Sequence, residues 1–522
     1  MPVSARDRRW KVLAVLCVAV FLVVVDNTVV NVALPTFARD LHASNSALQW
    51  IVDGYSLPFA GLLLAGGGMS DRLGRKRVMT GALVAFGVFS LFAAYSHSVT
   101  TLLSARALMG AAAAFIFPAT LSLLTVSFED PSERATAFGI WGAVAGAAIA
   151  VGPIVGGALI THFWFGSIFL VNIPIVLFAV IATTLVVPES RSAIRRRLDI
   201  GGLFFGTSGV TTLVLAIIEG PSWGWLAPTT LALFASSLVL LVAFANYELR
   251  RSGPLLDVRV FRNGAFSAGS GAIATSYFCL FGFIFLITQY FQLVRGYSAL
   301  SAGVHTLPFA IVTAIMTPLG AILAQRIGVR YVVSAGLAIM AFALGWAATI
   351  SASASFFGPV IGSMIMMALG FSLISAPATT TIMGTLTPEQ VGAGAASNET
   401  TRELGGTMGV AIIGSVFSSI FGPQVRAAFS HLGLTPGQLD VAQRSMAAAQ
   451  ATVAHLPSSF ASGPRSEVTR AFMVGLHRGC VVAALTAGVV SLVIFPFLPK
   501  RVNRGSAPLH ESEIQTLPVG GV

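Results

Sequence analysis

Fourteen stretches of this chain are apolar for long enough to cross a lipid bilayer. A crossing takes about 20 predominantly apolar residues on one helix. Runs near 12–34, 47–69, 78–97, 100–126, 137–160, 167–187, 200–218, 228–246, 265–293, 302–324, 331–350, 356–384, 392–421 and 472–498 all qualify. That repetition leaves few folds open. Only 10% of the residues are charged, whereas soluble domains carry about 25%. The long apolar runs exclude disorder. Cys17, Cys279 and Cys480 all lie inside apolar runs, which excludes a secreted disulfide scaffold. The expected class is an all-α polytopic membrane protein with 14 transmembrane helices, termed spans 1–14 below. The first run is too long for a cleaved signal peptide and continues through Asn31 and Pro35 without a small-residue cleavage site.

The formal charge is +11. In a soluble protein that would suggest nucleic acid, but the cations punctuate apolar runs, so no nucleic-acid partner is expected. Alternate loops carry 22 of the 31 Lys and Arg residues, including Arg72, Arg75, Lys76 and Arg77 after span 2, Arg191 and Arg195–Arg197 after span 6, and Arg326 and Arg330 after span 10. Basic loops face the cytoplasm. Both termini are therefore expected there, on a multi-pass protein of the cell membrane. The long loop 422–471 falls on the other side. Its Thr435-Pro436-Gly437-Gln438 reads as a capping box with proline at the first helical position. A small surface helix over 438–455 is expected, with a bare spacer as the alternative.

An internal echo divides the chain. Gly66, Arg72, Gly74 and Lys76 return as Gly320, Arg326, Gly328 and Arg330, all offset by 254 residues. Ser46-Ala47-Leu48 before span 2 also resembles Ser298-Ala299-Leu300 before span 10. Such repeats are common in transporters. The expected organisation is a six-helix bundle over 1–190, two inserted spans (7 and 8) over 191–262, a second six-helix bundle over 263–500, and a cytoplasmic tail over 501–522.

Several charged residues lie where charge is costly. Asp26 of span 1 is fifteen residues from Lys11, about 22 Å along a helix rising ~1.5 Å per residue. A central charge costs about 2.5–3.5 kcal/mol on insertion scales, so Asp26 is a functional candidate. Packing by a hydrogen bond to a neighbouring span is the competing reading. Arg106 of span 4 either finds buried partners or snorkels to the membrane surface. Glu399 and Glu403 of span 13 are four apart and share a helix face. Two carboxylates that close in a low dielectric do not both ionise easily. Arg402, three residues after Glu399, could neutralise it structurally; adjacent to Glu403, it points to another face of the helix. Trp50, Asp53 and Tyr55, near the far end of span 2, could line a substrate path or form an aromatic belt with a solvated acid.

These residues carry a family resemblance. Asp26-Asn27-Thr28-Val29-Val30-Asn31-Val32-Ala33-Leu34-Pro35, the loop Gly67-Gly68-Met69-Ser70-Asp71-Arg72-Leu73-Gly74-Arg75-Lys76-Arg77, Arg106 with Gly110, Gly146 with Gly152-Pro153-Ile154-Val155-Gly156-Gly157, and Asn398-Glu399-Thr400-Thr401-Arg402-Glu403 occur in one order. The sequence resembles the major facilitator superfamily, specifically its fourteen-span drug:proton antiporter branch of multidrug and quaternary ammonium exporters. Two departures stand out. Ala148 replaces a more usual glycine, and Trp164-Phe165-Gly166 lacks the arginine usual before span 6.

The resemblance implies a major facilitator fold of two six-helix bundles plus two inserted helices, in a bacterial inner membrane. It implies proton-coupled efflux of amphipathic, cationic compounds by alternating access. Asp26, Glu399, Glu403 and Arg106 would handle protons and cations. The loop residues Gly67, Asp71, Arg72, Gly74, Arg75 and Arg77 would latch the two halves together. Gly67 would admit a neighbouring helix and Gly74 a tight turn. The antiporter signature would comprise Gly146, Gly152, Pro153, Gly156 and Gly157. Trp50, Asp53, Tyr55 and Asn31 would lie along the substrate path. With no P-loop or metal-ligand cluster in the sequence, the expected energy source is the proton motive force, with no cofactor, no metal and no catalytic residues. Two other classes stay open: an exporter of a native metabolite or lipid with drugs as incidental cargo, and a membrane enzyme acting on lipid.

Overall fold

The computed structural model describes residues 5–128, 130–191, 199–251, 258–386, 391–455 and 458–500. The 501–522 tail and Arg195–Arg197 lie outside them. Every regular element among the described residues is helical. Fourteen helices are long and apolar enough to cross a membrane: Arg8–Asp40, Asn45–Leu73, Arg75–Ala94, Val99–Ser127, Thr136–His162, Ser167–Val186, Ile200–Trp223, Pro228–Arg250, Gly264–Val294, Ala299–Ile327, Val329–Ala347, Phe356–Gly384, Ser397–Phe429 and Ser462–Ile494. They are spans 1–14 in that order. The end carrying Lys76, Arg77 and Arg330 is called the basic end, and the other the far end.

Spans 1–6 pack on one another, and spans 9–14 repeat the arrangement. Span 2 packs on span 4 as span 10 packs on span 12. Span 1 packs on span 5 as span 9 packs on span 13. The sequence echo has a geometric counterpart. Gly74 closes span 2 at φ 112°, and Gly328 closes span 10 at φ 105°, a region open to glycine and costly for other residues. Eight residues earlier, a Cβ on Gly66 would strike the Ala114 carbonyl of span 4, and one on Gly320 would strike the Ser372 carbonyl of span 12. Close approach thus falls at Gly66 rather than at Gly67, which meets only Pro118 at ordinary contact distance. At the starts of spans 2 and 10, the serine capping the helix is Ser44 in one copy and Ser298 in the other. The counterpart of Ser298 is therefore Ser44, and Ser46 lies one half-turn inside the helix.

The inserted spans 7 and 8 pair with each other, and span 7 touches both span 2 and span 13. Leu57, Val214, Ile217, Ile218 and Ala411 form a small apolar cluster there. Span 7 thus bridges the seam between the repeats. The Trp50 indole N–H donates to Glu219 Oε1 at 3.0 Å, and Ser415 Oγ donates to the Ile217 carbonyl at 2.7 Å.

The far-end loop is shorter than 422–471 and more ordered than a spacer. Span 13 runs on to Phe429, and the helix containing span 14 begins at Ser458. Between them lie two short helices, Pro436–Ala442 and Met446–Ala454. The capping box at Thr435 and Gln438 is present. The second helix is no free surface helix: Met446, Ala447, Ala449 and Val453 are buried. This hairpin ties both halves. The Asn45 N–H donates to the Arg444 carbonyl at 2.8 Å, and Gln450 Nε2 to the Leu293 carbonyl at 2.8 Å.

Contacts between the halves concentrate at the far end. Gly157 of span 5 lies against Ala299 of span 10, and Gly303 against the Pro153 carbonyl. Leu300 N–H donates to Thr161 Oγ1 at 3.2 Å, and Gln292 Nε2 to the Val32 carbonyl at 2.8 Å. Toward the basic end, Gly139, Gly142 and Gly146 face open space. The two halves are closed at the far end, and the cleft between them opens toward the basic end.

Candidate functional site

Asp26 and Arg106 are both fully buried and form an ion pair of 2.7 Å. Snorkelling is thereby excluded for Arg106. Its guanidinium also donates through Nε to the Ile51 carbonyl at 3.2 Å and lies over the Tyr55 ring at 4.3 Å. The second Asp26 oxygen accepts from Asn172 Nδ2 at 2.7 Å. Asn172 also donates to Ser90 Oγ at 2.9 Å, and Ser90 donates to the Phe169 carbonyl at 2.9 Å. Spans 1, 2, 3, 4 and 6 therefore converge on one carboxylate. Such a buried pair is stable only because further hydrogen bonds satisfy it. Sequence reading assigned site roles to Asp26 and Arg106 but none to their orienting partners Asn172 and Ser90. Neutral polar residues within spans give no comparable signal.

The second site is differently built. Glu399 and Arg402 of span 13 pair at 3.4 Å, with side-chain exposures of 16% and 23%. Arg402 also donates to Thr379 Oγ1 of span 12 at 3.1 Å and lies 5.7 Å from the Tyr277 ring centre of span 9. Tyr277 stacks on Phe281 at 6.1 Å and tilts against Phe371 at 5.3 Å. Glu403 is half-buried. It lies within electrostatic reach of Glu399, Arg402 and Tyr277 in its own half and of Tyr55 in the other. Among the described residues its carboxylate takes no hydrogen bond and no ion pair. The arrangement is an aromatic wall with acids beside it, a combination that suits an organic cation.

The remaining residues fall in other places. Asp53 is fully buried, and neither carboxylate oxygen has a hydrogen-bond partner. It is not a solvated acid of an aromatic belt. Gln49, one turn away on the same helix, lies against Gly414 and within 3.4 Å of Ser415 of span 13. Asp53 thus sits on the part of span 2 where the far-end seam closes. Tyr55 is enclosed beneath Arg106 and donates to the Val23 carbonyl at 3.3 Å. Asn31 is buried and bonds its own helix at Asn27 and Thr28. Trp50, Asp53, Tyr55 and Asn31 therefore do not form a continuous cleft lining.

The antiporter glycines act mostly as contact points. Gly152 receives Thr28, Gly156 receives Val29, and Gly157 receives the other half. Gly146 faces open space instead.

Among the described residues, the basic loop's polar contacts stay within the first half in this conformation. Asp71 accepts from Arg75 at 2.7 and 2.9 Å within the same turn. Arg75 N–H donates to the Ser190 carbonyl, and Lys76 N–H to Glu189 Oε1 at 3.2 Å. Arg77 lies 3.6 Å from Glu189. All of these partners belong to the first half. In the conformation described, these residues tie the span 2–3 loop to the end of span 6, and the cleft between the halves is open at this end.

Two repeated bundles, an intramembrane ion pair and glycine contacts across a cleft describe a transporter architecture, and sequence comparison decides which. The family model for the Major Facilitator Superfamily matches residues 16–410. The chain belongs to the major facilitator superfamily. This facilitator is 35% identical over 491 residues to the multidrug efflux pump LfrA of Mycolicibacterium smegmatis, covering 93% of the chain and 96% of the relative. It is 33% identical over 433 residues to the methyl viologen resistance protein SmvA of Salmonella typhimurium, covering 80% and 84%. Its fold matches that of a bacterial homologue of the human lysosomal transporter Spinster, solved inward-facing and unoccupied. The TM-score is 0.64 at 19% identity, covering 94% of this chain and 98% of the other.

Proposed function

We propose that this facilitator is a proton-coupled exporter of amphipathic cations, working by alternating access with its basic end in the cytoplasm. The observation that carries the reading is Glu403, a carboxylate inside a membrane span, without an ion-pair partner among the described residues, beside aromatic rings in a cleft open toward the basic end. A carboxylate so placed needs a proton or a cation to neutralise it. The two cannot do so together, which makes the site an exchanger. Cargo enters from the basic end and displaces the proton. Rocking of the halves then opens the far-end seam, where protons re-enter and release the cargo. The Asp26–Arg106 pair, shut off in the conformation described, serves as a second protonation point that opens when Arg106 is freed.

The relatives support the cargo class. LfrA is named a multidrug efflux pump, and the methyl viologen in SmvA's name is an aromatic dication. Proteoliposomes test the reading. An imposed inward proton gradient should drive ethidium transport, and collapsing it with an uncoupler should abolish it. Transport that ignores the gradient contradicts the proposal. The orientation has its own test. A cysteine at exposed Gly437, in the far-end hairpin, should react with an impermeant maleimide on intact cells. Labelling only after lysis would reverse the assignment.

A further inference from the structure

The two intramembrane arginines are held in contrasting ways. Arg106 is fully buried, 2.7 Å from its carboxylate, and fixed through Nε as well. Arg402 is 3.4 Å from Glu399 and partly exposed; each arginine leaves one buried nitrogen without a partner among the described residues, Nε of Arg402 and Nη2 of Arg106, so the pair distance and exposure carry the contrast. Charge-assisted hydrogen bonds of this type normally close to about 2.7–2.9 Å. Arg402 is therefore loosely seated. Its seat consists of a carboxylate (Glu399), a hydroxyl (Thr379) and an aromatic face (Tyr277), supplied by three different spans. That set is what a planar organic cation needs: a counter-charge, a hydrogen-bond acceptor and a ring to stack on. The seat is not sealed, since Arg402 and Glu399 keep side-chain exposures of 23% and 16%.

We infer that Arg402 is a tethered stand-in for the cargo, occupying the cation seat in the empty transporter and leaving it when a planar cation arrives. The inference rests on the exporter reading above and makes it more specific. The favoured cargo is a flat, delocalised cation of the amidinium, guanidinium or aromatic iminium kind. A neutral or anionic compound gains nothing by dislodging Arg402, because Glu399 would be left bare. The stand-in also keeps Glu399 compensated between cycles, so that Glu403 alone is left for proton exchange. Arg402 is thus a specificity-determining residue, acting by occupying the site that it controls.

The test uses the purified full chain in detergent, with ethidium fluorescence as the binding readout. Arg402→Ala empties the seat and should tighten ethidium binding about tenfold, a gain of about 1.4 kcal/mol. Millimolar guanidinium chloride should refill the vacated seat and return the affinity toward that of the parent. Tetramethylammonium chloride at the same ionic strength should not, and guanidinium should leave the parent unchanged. Tightening that both salts reverse equally would mean that Arg402 acts only through its field, and overturns the inference. So does unchanged or weaker binding. Arg402→Gln provides a second route should Arg402→Ala not fold. It keeps a long polar side chain but removes the charge that holds the seat, and should tighten ethidium severalfold; unchanged affinity overturns the inference. These measurements involve neither proton gradients nor transport. Normal ethidium binding without any effect of Arg402 sinks the stand-in alone, whereas absence of ethidium binding in the parent and both variants sinks the exporter reading with it.

Discussion

The two halves of this facilitator share a fold but treat charge oppositely. In the first half, Asp26 accepts on both oxygens from residues of two other spans and is sealed from the cleft. In the second, Glu403 takes no hydrogen bond among the described residues, and Glu399 shares a loosely seated arginine. Packing explains the difference. The first site lies where five spans converge behind the closed far-end seam, and there a buried charge persists only when paired and hydrogen-bonded, as Asp26 is on both oxygens. The second stays partly exposed, with Arg402 and Glu399 at 23% and 16%. A sealed charge is locked until the halves move, and an open one can exchange ligands in the conformation described, so mutations at the two sites should differ most in their cost to stability.

The largest effect is expected at the sealed site. Asp26→Asn leaves Arg106 buried without a counter-charge. It should lower stability by about 3–5 kcal/mol, seen as a fall in Tm in detergent, and abolish transport. A variant of normal Tm would erase the contrast between the halves. Asn172→Ala should cost less, about 1.5–3 kcal/mol for one hydrogen bond to a charged group. Transport should be weakened rather than lost, because Arg106 still pairs with Asp26. At the seam, Trp50→Phe removes the indole N–H donated to Glu219. It should cost about 1 kcal/mol and favour the far-end-open form, read as faster maleimide labelling of a cysteine placed at Ala299. Equal labelling would mean that span 7 does not help to hold the seam shut. The smallest stability effect belongs to Glu403→Gln, within about 0.5 kcal/mol of the parent. The same substitution should nevertheless lose gradient-driven export of dications more severely than of monocations.

Much of this was legible in the chain before its structure. Fourteen apolar runs dictated the spans, and the 254-residue echo located the repeat down to the two positive-φ glycines, Gly74 and Gly328. Asp26, Arg106, Glu399 and Glu403 stood out because charge is rare in apolar runs. Other features depended on rotation and tertiary contact. Gly66 and Gly67 are adjacent, and only the helix's facing, which turns about 100° per residue, decides which one meets span 4. Asp53 seemed equally able to face water until span 13, more than 300 residues later, closed over that stretch of span 2. The loop motif around Asp71 gave its chemistry but not its partner, because the partner depends on which end of the cleft is open. Asn172 lacked any periodic or charge signal, although it orients the central carboxylate.

The central claim is that a proton and a cationic cargo exchange at Glu403. It is tested most directly by measuring protons released when tetraphenylphosphonium is added to the purified protein in lightly buffered detergent. The parent should release protons in a saturable manner that tracks binding. Glu403→Gln should still bind the cation, through Glu399 and the aromatic wall, and release markedly fewer. If Glu403→Gln releases as many protons as the parent, Glu403 is structural and the exchange takes place elsewhere, with Asp26 the remaining candidate.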